Sequence, residues 1–241
     1  MASNITRRDM LGRVAAGAAS LVVSQSLLDL SLLPAPDDEC VLTAALTEGP
    51  FFVDEKLNRS DIRTDPTTGT VSAGVPLALT FHVERLADGR CTPLPGAYVD
   101  VWHCDAGGVY SDVGSARGAE FLRGYQVTDA KGVARFSTVY PGWYSGRPVH
   151  IHFKVRLFAG ERETYEFTSQ FFFDESVTDK VHAEAAYAAR GPRNTRNTSD
   201  GIYNRLSSAQ RAALTLRTVP SDTGGAGGGY SGAITLRVRA G

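Results

Sequence analysis

Beyond its first few dozen residues the chain has no apolar run long enough to cross a bilayer. It has no block of acidic or basic side chains and no repeat of fixed period. Lys and Arg number 25 against 26 Asp and Glu, a formal net charge of -1, so no basic field is available to hold nucleic acid. The strand–helix–strand rhythm that builds a parallel sheet is missing. So are the Cys-x-x-Cys and His-Glu-x-x-His patterns of zinc sites, and no carboxylate stands at the spacing of a site made from two histidines and one carboxylate. Cysteine is scarce: Cys40, Cys91 and Cys104 allow one disulfide and leave one thiol over, with three pairings open.

What is present is an ordinary soluble composition, 42% hydrophobic and 21% charged, with 25 glycines in 241 residues. That suits a single domain of loop-rich β architecture. The N-terminus carries Arg7-Arg8 followed by a mild apolar run from Val14 to Val23. This pattern predicts an export signal, read by the twin-arginine route, and an extracellular or periplasmic protein. Residues 1–36 are therefore expected to be signal and linker, and 37–241 the folded domain.

Alternating, β-rich stretches predict strands over Pro76–Glu84, Ala97–Cys104, Arg123–Thr128, Val133–Val139, Val149–Phe158, Tyr165–Phe173 and Ala233–Val238. Ser176–Arg190 has helical character and stops at Gly191-Pro192. Arg193–Gly229 reads as a long surface loop. The expected fold class is all-β, a β-sandwich of mostly antiparallel strands with long loops and one short helix after the core strands.

One stretch, Tyr140-Pro-Gly-Trp-Tyr-Ser-Gly-Arg-Pro-Val-His-Ile-His152, concentrates chemistry. Residues i and i+2 of a strand leave the same face, so His150 and His152 can aim two imidazoles at one point. A packed or surface pair of histidines is the plain alternative for such a dipeptide spacing. The nearby oxygen donors are phenols: Tyr144 on the same stretch and Tyr110 after the Asp105-Ala-Gly-Gly bend. Free tyrosine ionises near pH ~10, so only a strongly polarising cation, such as trivalent iron, holds phenolate at neutral pH. His82 and His103 read as core or sheet-surface residues, His182 as solvated on its helix, Trp143 as packing against the turn, and Phe171–Phe173 as a buried strand.

Asp105-Ala-Gly-Gly-Val-Tyr110-Ser111, Tyr140-Pro-Gly-Trp-Tyr144 and Gly146-Arg-Pro-Val-His-Ile-His152, with Thr47-Glu-Gly-Pro-Phe-Phe52 upstream, resemble the intradiol ring-cleavage dioxygenases. The likeness runs from about Thr47 to Phe173 and suits the exported, single-domain branch, similar to catechol and protocatechuate 3,4-dioxygenases. It implies an Fe(III) cofactor held by Tyr110, Tyr144, His150 and His152, with Arg147 beside the substrate ring and Gln170 near that arginine. Tyr144 would be the ligand displaced when a catechol binds. Gly49, Pro50 and Trp143 would lie at the substrate pocket. The implied partners are small catechols and O2, with no nucleic acid and no membrane span; a monomer and a homodimer are both compatible. The product would be a cis,cis-muconate-type diacid. Pro93-Leu-Pro-Gly-Ala-Tyr98 and Pro141-Gly-Trp-Tyr144 also resemble non-catalytic transthyretin-like sandwich modules, in which the second tyrosine is structural. Tyr110, Arg147, His150 and His152 separate the two resemblances, and metal content separates both from a zinc hydrolase built on the histidine pair.

Overall fold

Strand alternation decides which side chains face inward, and two sheets close over them. The structure, a computed structural model, describes residues 40–222 and 228–240. The predicted export segment lies outside the described residues. Ten strands occur among the described residues: β1 (Pro76–Ala87), β2 (Arg90–Pro93), β3 (Tyr98–Trp102), β4 (Arg123–Val127), β5 (Val133–Val139), β6 (His150–Ala159), β7 (Arg162–Phe173), β8 (Thr215–Leu216), β9 (Thr218–Ser221) and β10 (Gly229–Val238).

One sheet runs β2-β1-β10-β9, with β5 also on β1; the other runs β4-β3-β6-β7-β8. Pairing is antiparallel except for β1 with β10 and β7 with β8. The sandwich core follows from the inward halves of the alternation. Leu77, Leu79, Phe81 and Val83 of β1 face Val99 and Val101 of β3, Ile151, Phe153 and Val155 of β6, and Phe171 of β7, all buried. Phe81 bridges the sheets, its ring 6.0 Å from both Phe153 and Phe171. The all-β sandwich expectation holds.

The single helix expected over Ser176–Arg190 is instead two short ones, α1 (Glu175–Val181) and α2 (Ala185–Ala188). Asp174 caps α1 by accepting from the Ser176 and Val177 amides. His182, expected in solvent, ends α1 half-buried: its Nε2 donates to the Pro141 carbonyl at 3.1 Å and its ring stacks on Tyr187. The expected surface loop after Arg193 is also corrected. It holds α3 (Gly201–Asn204), capped by Asp200, and α4 (Ser208–Leu214), opened by a Ser207/Gln210 capping box, then β8 and β9.

Residues 43–57 form a strap over the outer face of the β3–β6–β7 sheet. Leu46 donates to the Thr168 carbonyl at its start, and Tyr125 donates to the Leu57 carbonyl at its end. A disulfide, Cys40–Cys91, ties the segment before the strap to β2, and Cys104 is a buried free thiol. Among the described residues no helix is long and apolar enough to cross a membrane.

Candidate metal centre

The outer face of β6 carries His150, His152, Lys154 and Arg156, because Ile151, Phe153 and Val155 take the inner face. His152 is fixed from both neighbouring strands. Trp102 of β3 is its cross-strand partner and stacks on its ring at 5.1 Å and 10°, and Gln170 of β7 pairs with it on the other side. His150 Nδ1 lies 2.6 Å from the Pro148 carbonyl. A carbonyl only accepts, so that nitrogen carries the proton and Nε2 presents a lone pair. His150 Nε2 is 3.0 Å from His152 Nε2 and 3.2 Å from the Tyr144 hydroxyl.

Two glycines bring the two tyrosines to this point. The turn at Asp105–Tyr110 and the turn at Tyr140–Tyr144 pack backbone on backbone. A Cβ at Gly142 would collide with the Ala106 and Asp105 carbonyls, and one at Gly108, where φ is +81°, with the Trp143 carbonyl. The Gly142 amide donates to the Asp105 carbonyl at 3.0 Å. The Tyr110 and Tyr144 rings then meet edge to face at 5.7 Å. Phe51 of the strap stacks on Tyr110 at 4.4 Å and touches Tyr144 edge-on. Tyr110 is 4% exposed, and its hydroxyl has no hydrogen bond of ordinary geometry.

Electrostatics hold all four groups neutral. Burial drives the His150 pKa well below its ordinary value, helped by His152 and Arg147. Burial and the Arg147 charge push His152 down to about 3. Burial pushes the Tyr110 phenol well above its usual range, with Cys104 and Tyr144 adding to it. Tyr144 is also raised by burial, against the opposing pull of Arg147. Among the described residues no three His, Cys, Asp or Glu side chains gather as a metal site. The donor set that does gather is two imidazoles and two phenols, with a buried phenolic oxygen left unpaired. A hard cation that ionises phenols fits that set, and a softer, sulfur-seeking one does not.

Arg147 stands beside this cluster. Its Nε donates to Asp200 Oδ2 at 2.9 Å and its Nη2 donates to Gln170 Oε1. Gln170 is wholly buried and its own amide donates to the Thr47 carbonyl at 3.3 Å. Of the expected pocket residues, Gly49 sits against His152, where a Cβ would be 3.4 Å from the imidazole Cε1. Pro50 is exposed at the bend of the strap. Trp143 is half-buried, donates from Nε1 to the Gly191 carbonyl at 3.2 Å, and lies under the Arg190 guanidinium. His103, read as core or sheet surface, is core: its two nitrogens meet the Cys104 carbonyl and the Thr138 hydroxyl. Asp200 and Trp102 are site residues that the sequence motifs do not mark. Only Asp200 left a local trace, a capping residue before Gly201-Ile202-Tyr203.

Comparison with known proteins adds independent information. A family model described as Dioxygenase matches residues 47–146, a span that ends before the histidine pair. A chlorocatechol 1,2-dioxygenase of Pseudomonas putida is 32% identical over 34% of this chain and 36% of its own length. A catechol 1,2-dioxygenase of Candida albicans is 31% identical over 47% of this chain and 42% of its own. The chain thus matches well under half the length of these curated relatives. The solved intradiol ring-cleavage dioxygenase of Tetranychus urticae superposes with a TM-score of 0.65 at 28% identity, over 82% of this chain and 94% of that one. Shared motifs, shared sandwich and shared span converge on one family: the chain is similar to the intradiol ring-cleavage dioxygenases in sequence and in fold.

Proposed function

We propose that the chain is a non-haem Fe(III) dioxygenase that cleaves catechols between their two hydroxyl-bearing carbons. Both atoms of O2 enter the product, a cis,cis-muconate-type diacid. The observation that carries this is the meeting at His150 Nε2, 3.2 Å from the Tyr144 hydroxyl and 3.0 Å from His152 Nε2, beside the unpaired, buried Tyr110 hydroxyl. Tyr110, Tyr144, His150 and His152 are the residues that would hold the iron. When bound, ferric iron supplies Lewis acidity and a template for the two catechol oxygens.

The chain's own residues divide the remaining tasks. His150 is locked with its proton on Nδ1, so its Nε2 stays a neutral donor. Tyr144 sits on an irregular turn and is half-buried, whereas Tyr110 is wedged under Phe51. Tyr144 would accordingly be the more mobile of the two phenols and the one able to take up, at Oη, one of the protons a catechol gives up. Arg147 keeps its charge throughout, and that charge already acts on both phenols and both imidazoles. It can steady negative charge developing on the ring, an effect typically worth about 3 kcal/mol. Phe51, Phe52 and Trp102 wall the site on the strap side and keep water from it.

We also infer export. The Cys40–Cys91 disulfide supports it, because such bonds persist in oxidising compartments.

The test is to add catechol, chlorinated catechol, hydroxyquinol and protocatechuate to purified, metal-assayed protein and follow O2 uptake with the ultraviolet absorbance of the diacid. The expected result is equimolar iron, a red-brown phenolate-to-iron band, and O2 consumed one for one with a catechol. A colourless or zinc-loaded protein with no uptake returns the chain to a binding module or a hydrolase.

A further inference from the structure

The segment that follows α2 grips the turn bearing Tyr144 at alternate residues. Gly191 accepts from Trp143 Nε1 at 3.2 Å, Asn194 Nδ2 donates to the Ser145 hydroxyl at 2.9 Å, and Asp200 accepts from Arg147 Nε at 2.9 Å. Of these three contacts only the last pairs charges away from water: Asp200 has 3% of its side chain exposed and Arg147 17%. A charge-assisted hydrogen bond in such surroundings is stronger and more directional than a neutral one.

The Asp200 carboxylate is not free to follow its partner. Its other oxygen, Oδ1, accepts from the Ile202 and Tyr203 amides at 2.9 and 2.7 Å as the cap of α3. A carboxylate pinned on one oxygen by two backbone amides presents the second in a fixed direction. Gln170 takes the neighbouring Nη2 of the same guanidinium and is itself fixed, fully buried on β7 opposite His152. The planar guanidinium is thus held at two nitrogens by two rigid acceptors, which fixes its plane and its azimuth. The guanidinium so fixed stands beside the cluster: the Arg147 amide donates to the Tyr144 carbonyl at 3.4 Å, and its acceptor Gln170 is the cross-strand partner of His152.

We propose that Asp200 is a positioning residue: its capped carboxylate sets the orientation of the Arg147 guanidinium beside the Tyr144–His150–His152 cluster, and it acts on the reaction only through Arg147. This rests on the dioxygenase reading above. Asn at this position keeps an oxygen for the α3 amides and a side chain of the same shape, and removes the charge, so Asp200→Asn is the informative change. Asp200→Ala would also strip the cap.

The experiment uses the iron-loaded full chain, its Asp200→Asn and Arg147→Ala variants, and the double variant. For each, iron content, the phenolate-to-iron absorption band, kcat, KM and the anaerobic binding of a nitrocatechol are measured. Asp200→Asn is expected to keep iron, band and nitrocatechol affinity while kcat falls roughly 10- to 100-fold, the usual cost of removing a partner that orients a site group. In the Arg147→Ala background the same change is expected to have no further effect, within about twofold. Three results would overturn the inference alone: a parent-like kcat in Asp200→Asn, effects that multiply in the double variant, or loss of iron and colour in Asp200→Asn. A parent protein that takes up no O2 with any catechol overturns the dioxygenase reading, and this inference with it.

Discussion

Strand β6 carries two kinds of buried polar chemistry on one face, and they meet its cost in opposite ways. At the far end Lys154 and Arg156 are charged and saturated. Lys154 Nζ meets Glu48 at 2.5 Å and Glu166 at 3.0 Å, and Arg156 meets Asp54 at 2.9 Å and Asp100 at 2.6 Å. Burial opposes the Lys154 charge, and its two glutamates more than restore it. Burial lifts the Asp100 carboxyl to about 6, against the pull of Arg156. At the near end His150 and His152 are held neutral by burial, and among the described residues no carboxylate gathers with them into a metal-ligand group. Their ring nitrogens point at each other and at a phenol. A buried charge is tolerable when paired, and a buried polar atom when hydrogen-bonded. The paired end is complete within the chain. The near end, in the proposed reading, is completed by a cation. Residues that are alike in burial and adjacent on one strand are thus separated into scaffold and site by whether their partners are protein groups.

The comparison breaks most visibly at the near end. His152→Ala should leave a folded protein that retains no iron, shows no phenolate-to-iron band and consumes no O2. Metal analysis and absorbance decide it, and an iron-replete variant would move His152 to the scaffold. Arg156→Met should do the reverse. Removing one member of a buried pair strands the other, at a cost of about 3–5 kcal/mol in unfolding free energy. Iron content and kcat per folded molecule should be unchanged. Denaturant unfolding measures the first and steady-state assay the second; a selective fall in kcat would show that the two ends are coupled.

Much of this division was legible in the chain, and the illegible part has physical reasons. Alternation placed His150 and His152 on one face of β6, because strand periodicity needs no tertiary information. The turns carrying Tyr110 and Tyr144 were legible as motifs, and the structure gives the reason for their glycines, the close backbone approach at Gly108 and Gly142. Arg147's partner was not legible. Asp200 lies 53 residues away and reaches the site on a helix of four residues, too short to show apolar periodicity. The same brevity hid α4, although Ser207 and Gln210 are spaced as a capping box. His182 departs from the solvated expectation because its helix ends at that residue and turns its ring onto Tyr187. The disulfide choice among three cysteines depends on where the strap begins, which only the fold determines.

His103 sharpens the contrast, because it is as buried as the site histidines yet closed. It is 1% exposed, and its nitrogens lie 2.8 Å from the Cys104 carbonyl and 2.7 Å from the Thr138 hydroxyl. Burial pushes its pKa down to about 4. An unfolded histidine titrates near ~6.5, so between these values the unfolded chain binds a proton that the folded chain excludes. Stability therefore rises with pH across that window. The His103 contribution is fully present above about pH 6.5 and lost progressively toward pH 4. A displacement of two to three pH units corresponds to about 3 kcal/mol in total. His103→Gln should flatten the fall in melting temperature between pH 6.5 and pH 4 and leave iron binding at neutral pH intact, since its nitrogens serve the core. A variant that keeps the parent's pH slope would show that His103 takes up its proton without unfolding. Loss of iron at neutral pH would instead place His103 with the open nitrogens of His150 and His152.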